Sequence, residues 1–143
     1  MRILLTVVAG LALVPVQDNA AKKDLAALEG TWTLVGMEVD GQELPAEKLQ
    51  GTVLTIRGNK YSVVARKQQH DVEITLDPGK APKEIDMKFL DGPNKDRVGR
   101  GIYHLDGNTL KICRGLDPQQ ERPGSFKTEG QVNYFVMVWQ RQP

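Results

Sequence analysis

Residues 53–65 read Val-Leu-Thr-Ile-Arg-Gly-Asn-Lys-Tyr-Ser-Val-Val-Ala, and the fold is decided in this stretch. Gly58-Asn59 at its centre is a two-residue turn of the kind that tolerates positive φ angles. Pairing outward from the turn sets Ile56 opposite Tyr61, and further apolar pairs follow on the same face, because side chains alternate along a strand. The stretch predicts an antiparallel hairpin with one buried face.

The chain on either side repeats this pattern of short alternating segments and tight turns. A second hairpin is predicted at Gly107-Asn108, which sets Leu105 opposite Leu110. One face of such strands meets water, which favours an antiparallel sheet over a buried parallel one. Besides the strands that flank the two turns, we expect strands at residues 31–39, 70–76, 85–89 and 132–141.

Eight strands in meander order predict an all-β fold, an eight-stranded antiparallel up-and-down barrel, because closure removes both sheet edges. Pro45–Leu49 has proline in its first turn and predicts a short helix between the first two strands. A β-sandwich is the alternative. The last strand is apolar on both faces; we expect Tyr134 and Val136 to point inward and Phe135, Met137 and Trp139 to form a covered outer patch.

The N-terminus has the pattern of an export signal. Met1-Arg2 is followed by the apolar run Ile3–Val16, which as a helix is about 21 Å long and too short for a hydrocarbon core of about 30 Å. We predict a signal peptide over residues 1–21, a linker over 22–28 and a barrel domain over 29–143. The protein is then periplasmic or extracellular, without stable membrane insertion. An uncleaved anchor is the alternative, because Asp18 or Asn19 occupies position −3 of the candidate cleavage sites.

Composition and motifs argue against several other classes of function. A net charge of +1 gives no basic excess for nucleic acid. Cys113 is the only cysteine, so no intramolecular disulfide can form, and we expect a buried apolar thiol. Two histidines and one cysteine cannot close a tetrahedral metal site without carboxylates, and no nucleophile or phosphate-loop motif occurs. We therefore expect no enzyme activity, no cofactor and no metal.

Several short motifs together resemble a known family. They are Gly30-Thr31-Trp32, Val39-Asp40-Gly41, Asp77-Pro78, residues 82–86, Asp91-Gly92-Pro93, residues 101–107, residues 110–113 and residues 122–126. In combination they resemble the small lipocalin-like domain of planctomycete bacteria. Members of this family are exported, and the family has no assigned activity. One departure is Gln140-Arg141, where such domains often end in Lys-Arg. The resemblance implies a lipocalin-like barrel and export.

The lipocalin resemblance also implies a structural role for two residues. In lipocalins a tryptophan plugs the closed end of the barrel and an arginine from the last strand packs over it. The matching positions are Trp32 and Arg141. A guanidinium can stack on an indole while its donors bind nearby carbonyls. We therefore expect ligand access at the opposite end.

The long connections of a meander barrel gather at that opposite end. A cationic cluster maps there, and we hypothesise that it attracts an anionic ligand; ordinary solvated loop charges are the alternative. Its members are Lys67, His70, Lys95, Arg97, Arg114 and Arg122. The candidate ligand-binding residues of the barrel interior and mouth are Tyr61, Tyr103, Tyr134, Arg97 and Arg122.

Two functions fit these sequence patterns. The first is binding of a small apolar or amphiphilic molecule inside the barrel. The second is a protein-interaction or structural module with a filled core, which uses the barrel exterior and self-associates weakly. A cavity of about 300 Å³ or more would favour the first. An exposed apolar patch around Phe135, Met137 and Trp139 would favour the second.

Overall fold

The N-terminal helix covers the predicted boundary between signal and linker. In a computed structural model of the chain, the described residues are Gly10 and 16–143. Most of the predicted signal peptide, residues 1–9 and 11–15, therefore lies outside the described residues. Helix α1 (Val16–Leu28) ends two residues before the first strand. Within the described part of the chain, no helix has the length and apolarity needed to span a membrane.

Eight antiparallel strands form one closed ring, which confirms the predicted barrel and excludes the sandwich. Each strand pairs with the next, and the last pairs back to the first. The strands are β1 (Gly30–Val39), β3 (Val53–Arg57), β4 (Lys60–Ala65), β5 (Gln68–Asp77), β6 (Glu84–Phe89), β7 (Val98–Asp106), β8 (Thr109–Gly115) and β9 (Tyr134–Arg141). The short strand β2 (Gln42–Glu43) folds back and pairs antiparallel with the end of β1, and helix α2 (Ala46–Leu49) follows it before β3.

Both predicted hairpins have the expected register. Ile56 lies opposite Tyr61, and Leu105 lies opposite Leu110. The strand expected at residues 70–76 begins two residues earlier, at Gln68: only Arg66 and Lys67 turn the chain, with φ angles of 50° and 64°, before β5 begins. Two residues with positive φ suffice to reverse a strand in a tight hairpin.

The two faces of β9 are the reverse of the expectation. Trp139 lies opposite Leu110 and Met137 opposite Ile112, on the side of the barrel core. Phe135, Met137 and Trp139 therefore point inward, and Tyr134 and Val136 point outward. Alternation could not decide this orientation, because both faces of the strand are apolar.

The chain itself covers part of the outer face of β9. Val136 is buried with Ile102 and Cys113 in a second apolar cluster, against which Phe126 of the β8–β9 connection packs. Part of this second apolar face thus contacts the protein's own long connection. The first and larger cluster fills the barrel interior, with Trp32 and Trp139 its two bulkiest members.

Candidate functional site

One end of the barrel is closed by Trp32, Arg141 and the last turn of α1. Trp32 is fully buried, and its indole Nε1 donates a hydrogen bond to the Leu28 carbonyl at 3.0 Å. The Arg141 guanidinium lies 4.2 Å from the centre of the indole ring. Its two terminal nitrogens donate to the carbonyls of Ala27 and Glu29. The structure thus brings Trp32 and Arg141 together, and we call this closed end the floor.

A second set of contacts fastens α1 to the floor. The Tyr103 hydroxyl donates to the Asp24 carboxylate at 2.6 Å, and Lys83 Nζ lies 2.9 Å from the same oxygen. Burial, followed by the neighbouring Asp24 carboxylate, raises the pKa of Tyr103 above its usual range. Tyr103 therefore has a hydrogen-bond partner at the floor and lies apart from any opening at the other end.

The other end of the barrel is open, and a cavity of about 380 Å³ lies inside it. The connections β1–β3, β4–β5, β6–β7 and β8–β9 meet here, and we call this end the mouth. The cavity wall is mainly apolar, and residues 91–94 of the β6–β7 connection form part of its rim. The apolar lining comes from Val63, Val72, Met87, Phe89 and Met137. We call this space the mouth cavity.

One partly buried cation, Arg114, lines the mouth cavity. The Arg114 guanidinium lies 5.3 Å from the centre of the Phe89 ring and 4.7 Å from that of Phe135. Its Nη1 donates to the Gly115 carbonyl at 2.9 Å, whereas its buried Nε has no acceptor within residues 16–143. Burial lowers the pKa of Arg114 from its ordinary value. None of the ion pairs among the described residues involves Arg114.

Two further polar atoms in the interior have no hydrogen-bond partner in the part of the chain that the structure describes. One is the hydroxyl of Tyr61, which lines the cavity and is only 2% exposed. The other is the indole Nε1 of buried Trp139, which nevertheless lies close enough to the Tyr61 oxygen to favour the ionised form of Tyr61. Burial outweighs this effect and the attraction of Arg114, and it raises the pKa of Tyr61 well above its usual range.

The acidic residue at the rim already has polar partners. Asp91 Oδ1 lies 3.2 Å from His70 Nδ1, and its Oδ2 accepts a hydrogen bond from the Asp71 backbone at 2.9 Å. These contacts hold the β6–β7 connection against the start of β5. Both carboxylate oxygens of Asp91 therefore already have a polar partner at the rim.

Of the five candidate ligand-binding residues, only Tyr61 lines the mouth cavity. Arg97 is exposed on the β6–β7 connection, and the outward-pointing Tyr134 donates to the Glu121 carbonyl at 2.8 Å. The Arg122 guanidinium fastens the β8–β9 connection to the barrel exterior: it donates to the carbonyls of Ile85 and Gly101 and to the Asp86 carboxylate. An arginine on a long loop satisfies its donors on the nearest carbonyls and carboxylates, and here these lie on β6 and β7.

Arg114 is a cavity residue absent from those five candidates, although the cationic cluster includes it. The missed signal is its position: it follows Leu110 and Ile112 at intervals of two and therefore shares their inward face. The alternation of side chains along β8 thus predicts that the Arg114 guanidinium points into the barrel.

Cys113 does not line the mouth cavity. Cys113 is buried on the outer face of β8, and burial, with a smaller effect of Glu38, raises its thiol pKa to about 11. A thiol with a raised pKa is a weak nucleophile at neutral pH. Among the described residues, no group of three or more histidine, cysteine, aspartate or glutamate side chains could hold a metal ion.

Comparison with known proteins gives no match at the level of a family model, a curated protein or a solved structure.

Proposed function

We propose that the protein binds a small apolar or amphiphilic molecule in the mouth cavity. The observation that carries the proposal is an apolar cavity of about 380 Å³ at the open end of the barrel. Ligand pockets in proteins range from about 300 to 1,000 Å³ and are lined mainly by apolar side chains with a few polar groups. The mouth cavity fits the lower part of this range, which suits a compact ligand.

The closed floor supports entry of the ligand from the mouth. Trp32 and Arg141 fill the opposite end, and α1 packs over them. The alternative function, an interaction module with a filled core, loses its main support. That support was the apolar exterior patch expected from Phe135, Met137 and Trp139. These three side chains lie inside the barrel.

We propose further that the domain is exported and belongs to the lipocalin-like family of planctomycete bacteria. The support is the apolar N-terminal run together with the family-like motifs spread over the barrel domain. Export predicts that the mature protein begins near residue 22. Mass spectrometry of the N-terminal peptide from the periplasmic or culture fraction checks this.

Two valine variants on one strand test the binding site. Val63 on β4 lines the mouth cavity, whereas its neighbour Val64 faces solvent and is 40% exposed. Val63→Phe should fill the cavity and weaken saturable binding of the neutral apolar fluorophore N-phenyl-1-naphthylamine at least tenfold. Val64→Phe adds the same ring outside and should bind as the wild type does. Absence of saturable binding to the wild type would overturn the proposal.

A further inference from the structure

We propose that the mouth cavity selects amphiphiles with a single carboxylate head group, and that Arg114 is the residue that holds this group. The inference rests on the proposed function and adds a chemical class to the ligand. It starts from the only arginine that lines the mouth cavity among the described residues.

The described residues give Arg114 no oppositely charged partner. Its one hydrogen bond within the described chain goes to a neutral carbonyl, that of Gly115. A buried ion without an oppositely charged partner is costly, so buried arginines are ordinarily found with a carboxylate or phosphate. The nearby rim carboxylate, Asp91, is within 4 Å of His70 and forms no ion pair with Arg114. A ligand that brings a negative charge would supply the missing partner.

The donors that remain on Arg114 suit a carboxylate. Nη1 is occupied, but the side of the guanidinium that carries Nε and Nη2 has no protein acceptor among the described residues. Two parallel N–H groups on one edge of a guanidinium match the two oxygens of a carboxylate. The Phe89 and Phe135 rings beside it lower the local dielectric constant, which strengthens the attraction between opposite charges.

A neighbouring hydroxyl extends the same site. The Tyr61 hydroxyl lines the cavity and is buried without a hydrogen-bond partner among the described residues, and Tyr61 is close enough to Arg114 for the two to influence each other's ionisation. Polar atoms buried in this way are rare in native proteins and ordinarily have a water or ligand partner. Arg114 is the only arginine or lysine that the described residues contribute to the lining of the cavity, so the site fits a monoanion.

The apolar wall of the mouth cavity suits the hydrocarbon part of such a ligand. Val72, Met87 and Met137 line the same cavity as Arg114 and present no charge to a hydrocarbon tail. A head group held by Arg114 therefore leaves the tail in contact with apolar side chains. The expected ligand class is a compact carboxylic acid with an apolar body, such as a medium-chain fatty acid.

A comparison of two probes with the same tail tests the inference on the wild type alone. Decanoate and 1-decanol differ in the head group, and each is titrated as a competitor of N-phenyl-1-naphthylamine. Hydrogen bonds to a charged group predict that decanoate binds about 10- to 100-fold more tightly than 1-decanol. If both compete equally, the carboxylate inference is overturned and the proposed function stands. If the fluorophore itself does not bind, the proposed function fails as well.

Variants at two arginines locate the head group. Arg114→Met keeps an unbranched side chain and should reduce decanoate binding to the level of 1-decanol, whose own affinity should change little. Arg97→Met removes an exposed rim cation and should leave the preference for decanoate intact. Equal losses in both variants, or a full preference in Arg114→Met, would overturn the role of Arg114. Should Arg114→Met fail to fold, Arg114→Gln and the wild-type probe comparison decide the question.

Discussion

At the scale of single residues, two inward-facing arginines differ in how many of their hydrogen-bond donors have an acceptor. Arg141 at the floor stacks on Trp32 and donates to two backbone carbonyls. Arg114 at the mouth has aromatic neighbours too, but its buried Nε lacks an acceptor among the residues that the structure describes. Because a satisfied guanidinium stabilises its surroundings and an unsatisfied one is costly, the first arginine is structural and the second supports the proposed role in binding a head group.

We predict that Arg141→Lys destabilises the floor. Lysine cannot place two donors on the carbonyls of Ala27 and Glu29 while stacking a flat group on Trp32. The loss of one charge-assisted hydrogen bond and of the stacking, discounted for partial exposure, is about 1–2 kcal/mol of the free energy of unfolding. Urea denaturation measures it. Arg57→Lys, at an exposed strand end, is the control and should change stability by less than about 0.5 kcal/mol.

At the scale of elements, alternation alone predicts the hairpins but fails for β9. Tyr61 and Leu110 lie in strands whose polar and apolar residues alternate, so their inward orientation could be predicted from the sequence. Part of the apolar outer face of β9 is covered by Phe126, which reaches it from a long connection. The path of such a connection depends on distant contacts like those of Arg122, and local sequence patterns do not encode it.

The inward glycines of β7 are a second feature with a clear sequence signal. Gly99-Arg100-Gly101 within a strand predicts a close backbone approach or a bulge, and the structure shows the close approach. A Cβ on Gly101 would lie 2.7 Å from the Cys113 carbonyl oxygen, and one on Gly99 would lie 3.4 Å from the Phe89 ring and 3.7 Å from Arg114 Cδ. The two glycines thus leave room for β8 and for the side chain of Arg114.

We predict that Gly101→Ala destabilises the barrel, because the Cys113 carbonyl belongs to the backbone of β8 and cannot move without disturbing the pairing of β7 and β8. Overpacking of this kind costs about 1–3 kcal/mol. The free energy of unfolding in urea provides the measurement. Gly124→Ala meets no atom within 4 Å and serves as the control. Equal free energies of unfolding for the two variants would contradict the prediction, because β7 and β8 could then move apart without a loss of stability.

At the scale of the whole molecule, closure of the ring links the floor to the mouth. The pairing of β1 with β9 runs from Trp32 opposite Arg141 at the floor to Val39 opposite Phe135 near the mouth. The same strand therefore carries the arginine that packs over the plug of the closed end and one aromatic neighbour of Arg114. The fold class follows from the sequence because each hairpin is local. The site does not, because it needs the register of β9 and the long connections together.

Continuous pairing around the ring predicts that the floor and the interior unfold in one transition. The two tryptophans of the chain report on both places, since Trp32 lies at the floor and Trp139 in the interior near Tyr61, and both are fully buried. In Trp32→Phe and in Trp139→Phe, the urea midpoint from the remaining fluorescence should coincide with the midpoint from far-ultraviolet circular dichroism, as a two-state domain requires. The absolute midpoints will differ between the variants, but the agreement within each should hold. A Trp32 signal that changes at lower urea than the circular dichroism would contradict the prediction, because the floor and α1 would then open while the barrel remained paired.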